Sequence, residues 1–485
     1  MAIVYTCAVL YFLGMGFIFV YSLAQGHLLL HFFKFRKTKK QVPHLIPNPW
    51  PKVTVQLPIY NEMYVVERLI DAVAQLNYPS ELLQIQILDD STDQTSDLIQ
   101  TKVLAYPSVN FQYLHRTNRQ GFKAGALREA LPLAEGEFVA IFDADFVPEP
   151  DFLIKALPYF STPQVGMVQS RWTHLNQNYS ILTQLQAFAL DAHFLIEQVG
   201  RNQQGAFINF NGTAGIWRKN CILDAGNWHD DTLTEDLDLS YRAQRQGWKF
   251  VYRPEIESPA ELPPILSAIK SQQFRWTKGG AECAVKHLTK VLKEPHSWAI
   301  KFHAVAHLFN STIFIAILLT SFCSIGLWWG VQLKVIPSEL FWASGISMLG
   351  FVLVAGVYLS AYLSAQQLSW ESIFGVVWKL PLFFSVSMGL SLHNSQAVLE
   401  GLTGKKSPFI RTPKFNLEAG SVSLQANGYR LRALPVSTWL EGGMGLLFGG
   451  MVTLGVVYGN FLFLPFHGLL ALGYNLLFIS SFRTR

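Results

Sequence analysis

A mainly parallel α/β domain with helices on both faces, joined to an α-helical transmembrane domain, is the fold the sequence predicts. Three observations carry it. Half of the 485 residues are hydrophobic, only 15% are charged, and mean hydropathy is +0.23, too apolar for an ordinary soluble chain. Charge-free runs fill residues 1–33 and much of the chain beyond residue 300. Between them, residues 50–262 alternate strand-like apolar runs with helical periodicity, the order of βαβ units. The net charge of +5 is modest and no basic stripe carries interleaved aromatics, so nucleic acid is not an expected partner. Cys7, Cys221, Cys283 and Cys323 form no CxxC pair. Neither a disulfide frame nor a zinc site is expected, as suits a reducing cytosolic face.

The first element is a transmembrane helix over 1–33. It holds no Asp, Glu, Lys or Arg, then meets "KFRKTKK". A cleavable signal peptide has the reverse order, so the helix is read as retained, with its basic end in the cytoplasm. "PHLIPNPWP" (43–51) reads as a short, stiff linker. Domain 50–262 is read as cytosolic. Strands are expected at 53–60, 83–91, 109–116 and 138–146, with helices near 62–77, 93–106 and 121–134. In such sheets the ligand sits outside the carboxyl ends of the strands. There lie Tyr60-Asn61-Glu62, Asp89-Asp90 and Asp143-Ala144-Asp145.

Residues 263–300 are expected to form interfacial helices carrying "QQFRW". Two transmembrane helices follow in 301–365, the first over 302–330. The loop after Ala397 holds Lys405, Lys406, Arg411, Lys414, Arg430 and Arg432 and belongs in the cytoplasm. A full crossing at 372–393 would place that loop outside. The same segment carries Lys379 and Pro381 and ends in "SLHNSQ". Residues 371–396 are therefore read as an interfacial helix, 397–436 as a cytosolic loop and 438–482 as two final membrane helices. That makes five spans; the alternative of six puts the C-terminal tail outside.

Four motifs carry chemistry. In "FDAD", Asp143 and Asp145 project to one side of an extended chain. Such oxygen ligands suit Mg²⁺ or Mn²⁺ bridging a diphosphate. Alone, D-x-D reads as well as two solvated or capping aspartates. "TEDLDLSYR" opens a helix at Thr234-Glu235-Asp236, where acidic residues are ordinary capping chemistry. The functional reading makes Asp236 a general base. "RQGFKAGAL" offers Arg119, Lys123 and two glycines before a helix, able to hold phosphate but lacking the P-loop pattern. In "QQFRW", Arg275 can fork onto phosphate oxygens and Trp276 offers a flat face to a sugar ring. The alternative for that motif on its own is an amphipathic interfacial helix with an ordinary Trp anchor.

Taken in order, these motifs resemble the family 2 inverting glycosyltransferases, which include cellulose and hyaluronan synthases. The family signature is D, D-x-D, [TE]-[ED]-D, Q-x-x-R-W. Here it reads Asp89/Asp90, Asp143 and Asp145, Thr234-Glu235-Asp236, and Gln272 with Arg275 and Trp276. "QSRWTHLN", "FNGTAGIWR", "GWKFVY" and "QQFRW" resemble most the cellulose synthase-like A and C groups of plants and their bacterial relatives. "FIRTPK" resembles the family's gating loop, F-x-V-T-x-K, with Arg411 where Val is usual.

The resemblance implies a glycosyltransferase-A domain with a role for each motif residue. Tyr60 and Asp90, with Asp89 close by, would hold the base and ribose of a nucleotide sugar, UDP-glucose or GDP-mannose. Glu62 and Lys123 would also bind this donor. Asp143 and Asp145 would hold the diphosphate and its Mg²⁺ or Mn²⁺. Gln272 and Arg275 would bind the diphosphate, and Asp236 would be the base. Trp276 and Glu235 would meet the acceptor, a growing polysaccharide. Phe409, Thr412 and Lys414 would close over the donor.

His303, His307, Asn310, Trp328 and Trp329 would line an export path or simply pack helices. The expected product is a β-linked polymer exported through the enzyme's own channel; the alternative is a β-glycolipid made on a ceramide or dolichol acceptor. A transporter or scaffold without activity is a third reading. Membrane lipids are expected partners, and the pattern leaves room for an accessory export subunit or a homo-oligomer. A bacterial inner membrane is favoured over the Golgi by the short termini.

Overall fold

The computed structural model describes residues 1–37, 49–366, 369–417 and 435–483. Most of the linker expected at 43–51 lies outside them, as do Arg430 and Arg432. Helix α1 (Ala2–Lys37) opens the chain. Then come β1 (Val53–Ile59), α2 (Val66–Ala74), β2 (Leu83–Asp89), α3 (Thr95–Val103), β3 (Phe111–His115), α4 (Phe122–Ala130) and β4 (Phe138–Ile141). The second half adds α5 (Phe152–Ala156), β5 (Val165–His174), α6 (Ile181–Asp191), α7 (Gln198–Gln203), β6 (Gly215–Arg218), α8 (Lys219–Asp224), α9 (Glu235–Arg245) and β7 (Lys249–Ala260). A π-helical turn, Ala192–Glu197, joins α6 to α7.

The described strands form one sheet in the order β3-β2-β1-β4-β6-β5-β7. β1 runs parallel to β2 and β4, β2 to β3, and β5 to β7. β6 is reversed, antiparallel to β4 and β5. The alternation in "VTVQLPI" explains β1. Val53, Val55, Leu57 and Ile59 enter one apolar core with Leu69 and Ile70 of α2. Thr54 and Gln56 face the other way and bond Gln84 and Gln86 on β2 at 2.8 and 2.9 Å. A second core joins Val139 and Ile141 of β4 to Leu127 of α4, and extends to Phe32 of α1 and Ala361. The sheet is thus packed directly onto helices of the membrane domain.

That domain comprises α10 (Leu266–Lys293), α11 (Trp298–Leu308), α12 (Ile313–Gln332), α13 (Gly345–Ala365), α14 (Trp370–Gly389), α15 (Ser391–Leu402), α16 (Val436–Val457) and α17 (Leu464–Arg483). Among the described residues, five helices are long and apolar enough to cross a membrane: Ala2–Lys37, Asn310–Gln332, Met348–Ala365, Val436–Val457 and Leu464–Phe482. Two expectations are corrected. The helix expected over 302–330 breaks at Asn310–Thr312, so His303 and His307 sit on α11, before the apolar span. The single helix expected over 371–396 is two, α14 and α15, bent by 49°. The polar residues Ser391, Asn394 and Ser395 are buried as α15 packs along α10, which explains why a polar stretch follows an apolar one. At Gly473 an added Cβ would lie 1.8 Å from the Ser385 carbonyl oxygen, so only glycine lets α17 approach α14 this closely.

A buried ion pair ties α10 to α16 of that domain. Lys270 Nζ donates to both oxygens of Glu441 on α16, at 2.8 and 2.6 Å. Their side chains are 11% and 0% exposed. Removing one partner strands the other charge in an apolar setting, whereas removing both is far cheaper. Lys270→Met is expected to destabilise the protein by about 3–5 kcal/mol, and the double change with Glu441→Leu to recover most of it. Thermal unfolding of the detergent-solubilised variants checks both.

Candidate functional site

The carboxyl ends of β1, β2 and β4 meet in one cleft, closed opposite by the start of α9, the face of α10 and residues 409–414. Of the base, donor, acceptor, metal and loop residues singled out from the sequence, all but Asp89 line it. The cleft and its open mouth together enclose about 1350 Å³.

Asp89 and Asp90 part ways because successive residues of a strand face opposite sides. Asp89 is fully buried and accepts from Ser91 N (2.9 Å), Ser96 Oγ (2.5 Å) and Tyr113 OH (2.7 Å). It braces β2 against β3 and the loop that follows, and does not itself line the cleft. Asp90 faces the cleft, held by Arg116 through Nε to Oδ1 at 2.7 Å and Nη2 to Oδ2 at 2.6 Å. Tyr60 follows β1 directly, and the Arg119 guanidinium lies 3.3 Å from the centre of its ring. Glu62 is also at the wall, but both its oxygens are taken by Arg411, at 2.8 and 2.7 Å. It therefore meets the cleft paired to the loop.

Asp143 and Asp145 follow β4 on a turn closed by Phe146 N donating to the Asp143 carbonyl at 3.1 Å. The extended geometry expected for "FDAD" is replaced by this turn. Lys123 Nζ donates to Asp143 Oδ1 at 2.5 Å and to the Gly212 carbonyl at 2.8 Å. Burial opposes the Lys123 charge, but Asp143 and Glu235 outweigh it and hold its pKa above the usual value. Asp145 pairs with Lys414 through Oδ2, while its Oδ1 is buried with no protein partner. Two carboxylates with one orphaned oxygen fit a hard divalent cation such as Mg²⁺ or Mn²⁺.

Asp236 stands in the first turn of α9 and accepts from Leu237 N at 2.8 Å. A helix N-terminus lowers the pKa of an acid placed there. Burial, and next the neighbouring Glu235 charge, outweigh that effect and raise Asp236 to about 7. Gly212 explains part of "FNGTAGIWR". Its φ is +82°, and a Cβ there would come 3.1 Å from Asp236 Oδ2, so glycine serves both the turn and the close approach.

Gln272, Arg275 and Trp276 lie at i, i+3 and i+4 on α10 and so share its cleft face. Arg275 Nη2 donates to Thr412 Oγ1 at 2.8 Å, its guanidinium sits 4.7 Å from the centre of the Phe409 ring, and its Nε is buried and unpartnered. Phe409 also stacks on Phe122, with centroids 5.4 Å apart. Glu261, missed in the sequence, accepts from Phe415 N at 2.8 Å. Trp172 and His174 of "QSRWTHLN" line the cleft too.

The side chains expected along an export path all have partners outside the cleft. His303 bonds His27 (2.8 Å), His307 bonds Tyr241 (3.0 Å), Asn310 accepts from Tyr21 OH (2.5 Å) and Trp328 donates to the Asn460 carbonyl (3.3 Å), while Trp329 packs edge-on against Trp328. His229, Asp231 and Asp238 come within metal-ligating reach of one another elsewhere. Lys286, Arg242 and His287 already satisfy that cluster, which knots α9 to α10.

Comparison with known proteins places these features in context. The model of a family described as "Glycosyltransferase like family 2" matches residues 51–279. Glucomannan 4-beta-mannosyltransferase 1 of Oryza sativa subsp. japonica is 35% identical over 384 residues, 77% of this chain and 71% of its own length. Probable glucomannan 4-beta-mannosyltransferase 7 of the same plant is 43% identical over 250 residues, 50% of this chain but only 43% of its own length. Among solved structures, the mannosyltransferase PcManGT from Pyrobaculum calidifontis, in complex with GDP-Man and Mn2+, superposes with a TM-score of 0.52 at 19% identity, covering 80% of this chain and 100% of that one. That likeness is one of fold.

Proposed function

Because the chain belongs to glycosyltransferase-like family 2, given its 35% identity along most of a rice member, we propose that it is a membrane-embedded, processive, inverting β-glycosyltransferase. It takes a nucleotide sugar and extends a β-linked polysaccharide, which leaves through the membrane domain. GDP-mannose is the donor favoured by the names of the rice relatives, with UDP-glucose the competing donor. Both relatives are plant proteins, which lends the expected bacterial membrane no support. The observation that carries the reading is Asp236. A carboxyl group raised to about 7 stands in one cleft with Arg275, Lys123 and the Asp143/Asp145 pair.

The chemistry follows from those groups. Asp236 takes the proton from an acceptor hydroxyl as that oxygen bonds the anomeric carbon. The bond from that carbon to the phosphate oxygen breaks on the opposite side, and the nucleoside diphosphate departs with its electron pair. One displacement inverts the centre, so an α-linked donor gives a β-linked product. Arg275, Lys123 and Lys414 surround the leaving group with fixed positive charge. Asp143 and Asp145 would hold Mg²⁺ or Mn²⁺, which when bound supplies further charge neutralisation at the diphosphate. Tyr60 and Asp90 receive the base and ribose, and Trp276 and Glu235 face the acceptor sugar. Burial pushes the Glu235 carboxyl up as well, which suits a hydrogen-bonding partner for a hydroxyl.

Purified protein given radiolabelled GDP-mannose or UDP-glucose with Mn²⁺ or Mg²⁺ tests this. Label is expected in a polymeric fraction that a β-mannanase or β-glucanase digests. Label confined to the organic phase would replace the polymer reading with β-glycolipid synthesis.

A further inference from the structure

Glu62 and Arg411 lie 349 residues apart in sequence and form a bidentate pair at the cleft wall. Glu62 is buried, 7% exposed, so its carboxylate needs a cation to offset lost hydration. Burial pushes its pKa up, and the Arg411 guanidinium pulls it back. Arg411 Nε meets Oε1 at 2.8 Å and Nη2 meets Oε2 at 2.7 Å. Two parallel N–H donors on one carboxylate is the strongest geometry such a pair can adopt. The loop pattern this chain resembles has Val at position 411. Valine could not make the pair and would leave Glu62 buried and unmatched.

The ends of the loop are held by Phe409 stacked on Phe122 and by Phe415 N donating to Glu261 at 2.8 Å. Between them, Thr412 holds Arg275, and Lys414 holds Asp145. Both partners are groups that the proposed reaction assigns to the diphosphate and its cation, so these contacts must rearrange when donor enters. The Glu62–Arg411 pair requires no such rearrangement. It joins the end of β1 to the loop and uses groups that the reaction leaves alone.

We propose that Glu62 and Arg411 form a donor-independent latch that seats residues 409–415 across the cleft. Arg411 is then a positioning residue: it delivers Thr412 and Lys414 to the diphosphate end and sets how tightly the donor is captured. The consequence for donor capture rests on the nucleotide-sugar reading above; the latch itself does not.

The test uses the full-length protein in detergent or nanodiscs, first with no donor added. Amide hydrogen exchange is followed over 409–415 in wild type, Arg411→Val, Arg411→Lys, Glu62→Gln and the Glu62→Gln/Arg411→Val double variant. The latch predicts roughly tenfold faster exchange in Arg411→Val and in Glu62→Gln, no further gain in the double variant, and partial protection in Arg411→Lys. Donor kinetics then give a KM raised about tenfold in Arg411→Val, with kcat changed less than about threefold. Unchanged exchange in Arg411→Val overturns the latch. So does a raised KM in Arg411→Val when Glu62→Gln leaves exchange at the wild-type level, since Arg411 would then be a donor ligand. Exchange is read without catalysis. A wild type that transfers no sugar would sink the nucleotide-sugar reading and leave the latch to be decided by its own data.

Discussion

Asp236→Asn is expected to lower sugar transfer by roughly 10²–10⁴-fold, while donor binding, followed by calorimetry, should stay near the wild-type level. The amide keeps the shape and the hydrogen bond from Leu237 N but cannot take a proton. Asp236 has a pKa near 7, raised by burial and then by the Glu235 charge. Wild-type kcat should therefore climb as pH rises through about 7 and level off above it. The variant's residual rate should lack that step. Stability runs the other way. The folded pKa exceeds the unfolded value near 4, so the folded state holds the proton more tightly. This carboxyl's contribution to stability is fully present below about pH 4 and is lost as pH rises through about 7. Asp236→Asn removes that loss, so its thermal unfolding temperature at pH 8 should equal or exceed wild type. A variant that is both inactive and strongly destabilised at pH 8 would mean that Asp236 is structural.

Arg275→Ala should cost about 10²–10³-fold in kcat, the usual loss when one fixed donor is removed from a developing negative charge. Arg275 is the cation that α10 brings among Glu235, Asp143, Asp145 and Asp236. It also holds Thr412 and lies over Phe409, so its loss loosens the loop as well as the leaving-group site. A second consequence separates this role from simple packing. With that positive charge gone, the pKa of Asp236 must rise further, and the activity step should move above pH 7. Arg275→Lys keeps the charge but not the fork, so it should leave the step near 7 and recover part of the rate. An Arg275→Ala enzyme with lowered kcat and an unmoved pH profile would argue against direct electrostatic coupling to the base.

How much of this was legible in the sequence depends on the range of each interaction. The first four strands were readable because alternation in "VTVQLPI" and the apolar run before "FDAD" are local signals. The reversed strand β6 was not, because four residues, Gly215–Arg218, carry no usable period. Asp89 and Asp90 look alike as neighbours; only the pleat, fixed by pairing of Ile59 with Asp89, decides which one faces the cleft. The α10 triad of Gln272, Arg275 and Trp276 could be placed on one face because helical spacing is a local rule. Lys270–Glu441 and Glu62–Arg411 could not be foreseen. Each joins residues more than 170 positions apart, and nothing local to either partner marks the other. Arg411 did stand out as a departure from the loop pattern, and its partner supplies the physical reason.

The most direct test of the central claim is the size of the first chains made. Wild-type enzyme is given enough labelled donor to finish only one long chain per several enzyme molecules, and the product is separated by length. The account predicts long polymer beside unused acceptor from the earliest time points, because the acceptor end stays seated at Trp276 between transfers. A uniform ladder in which every chain grows by one sugar at a time would contradict it.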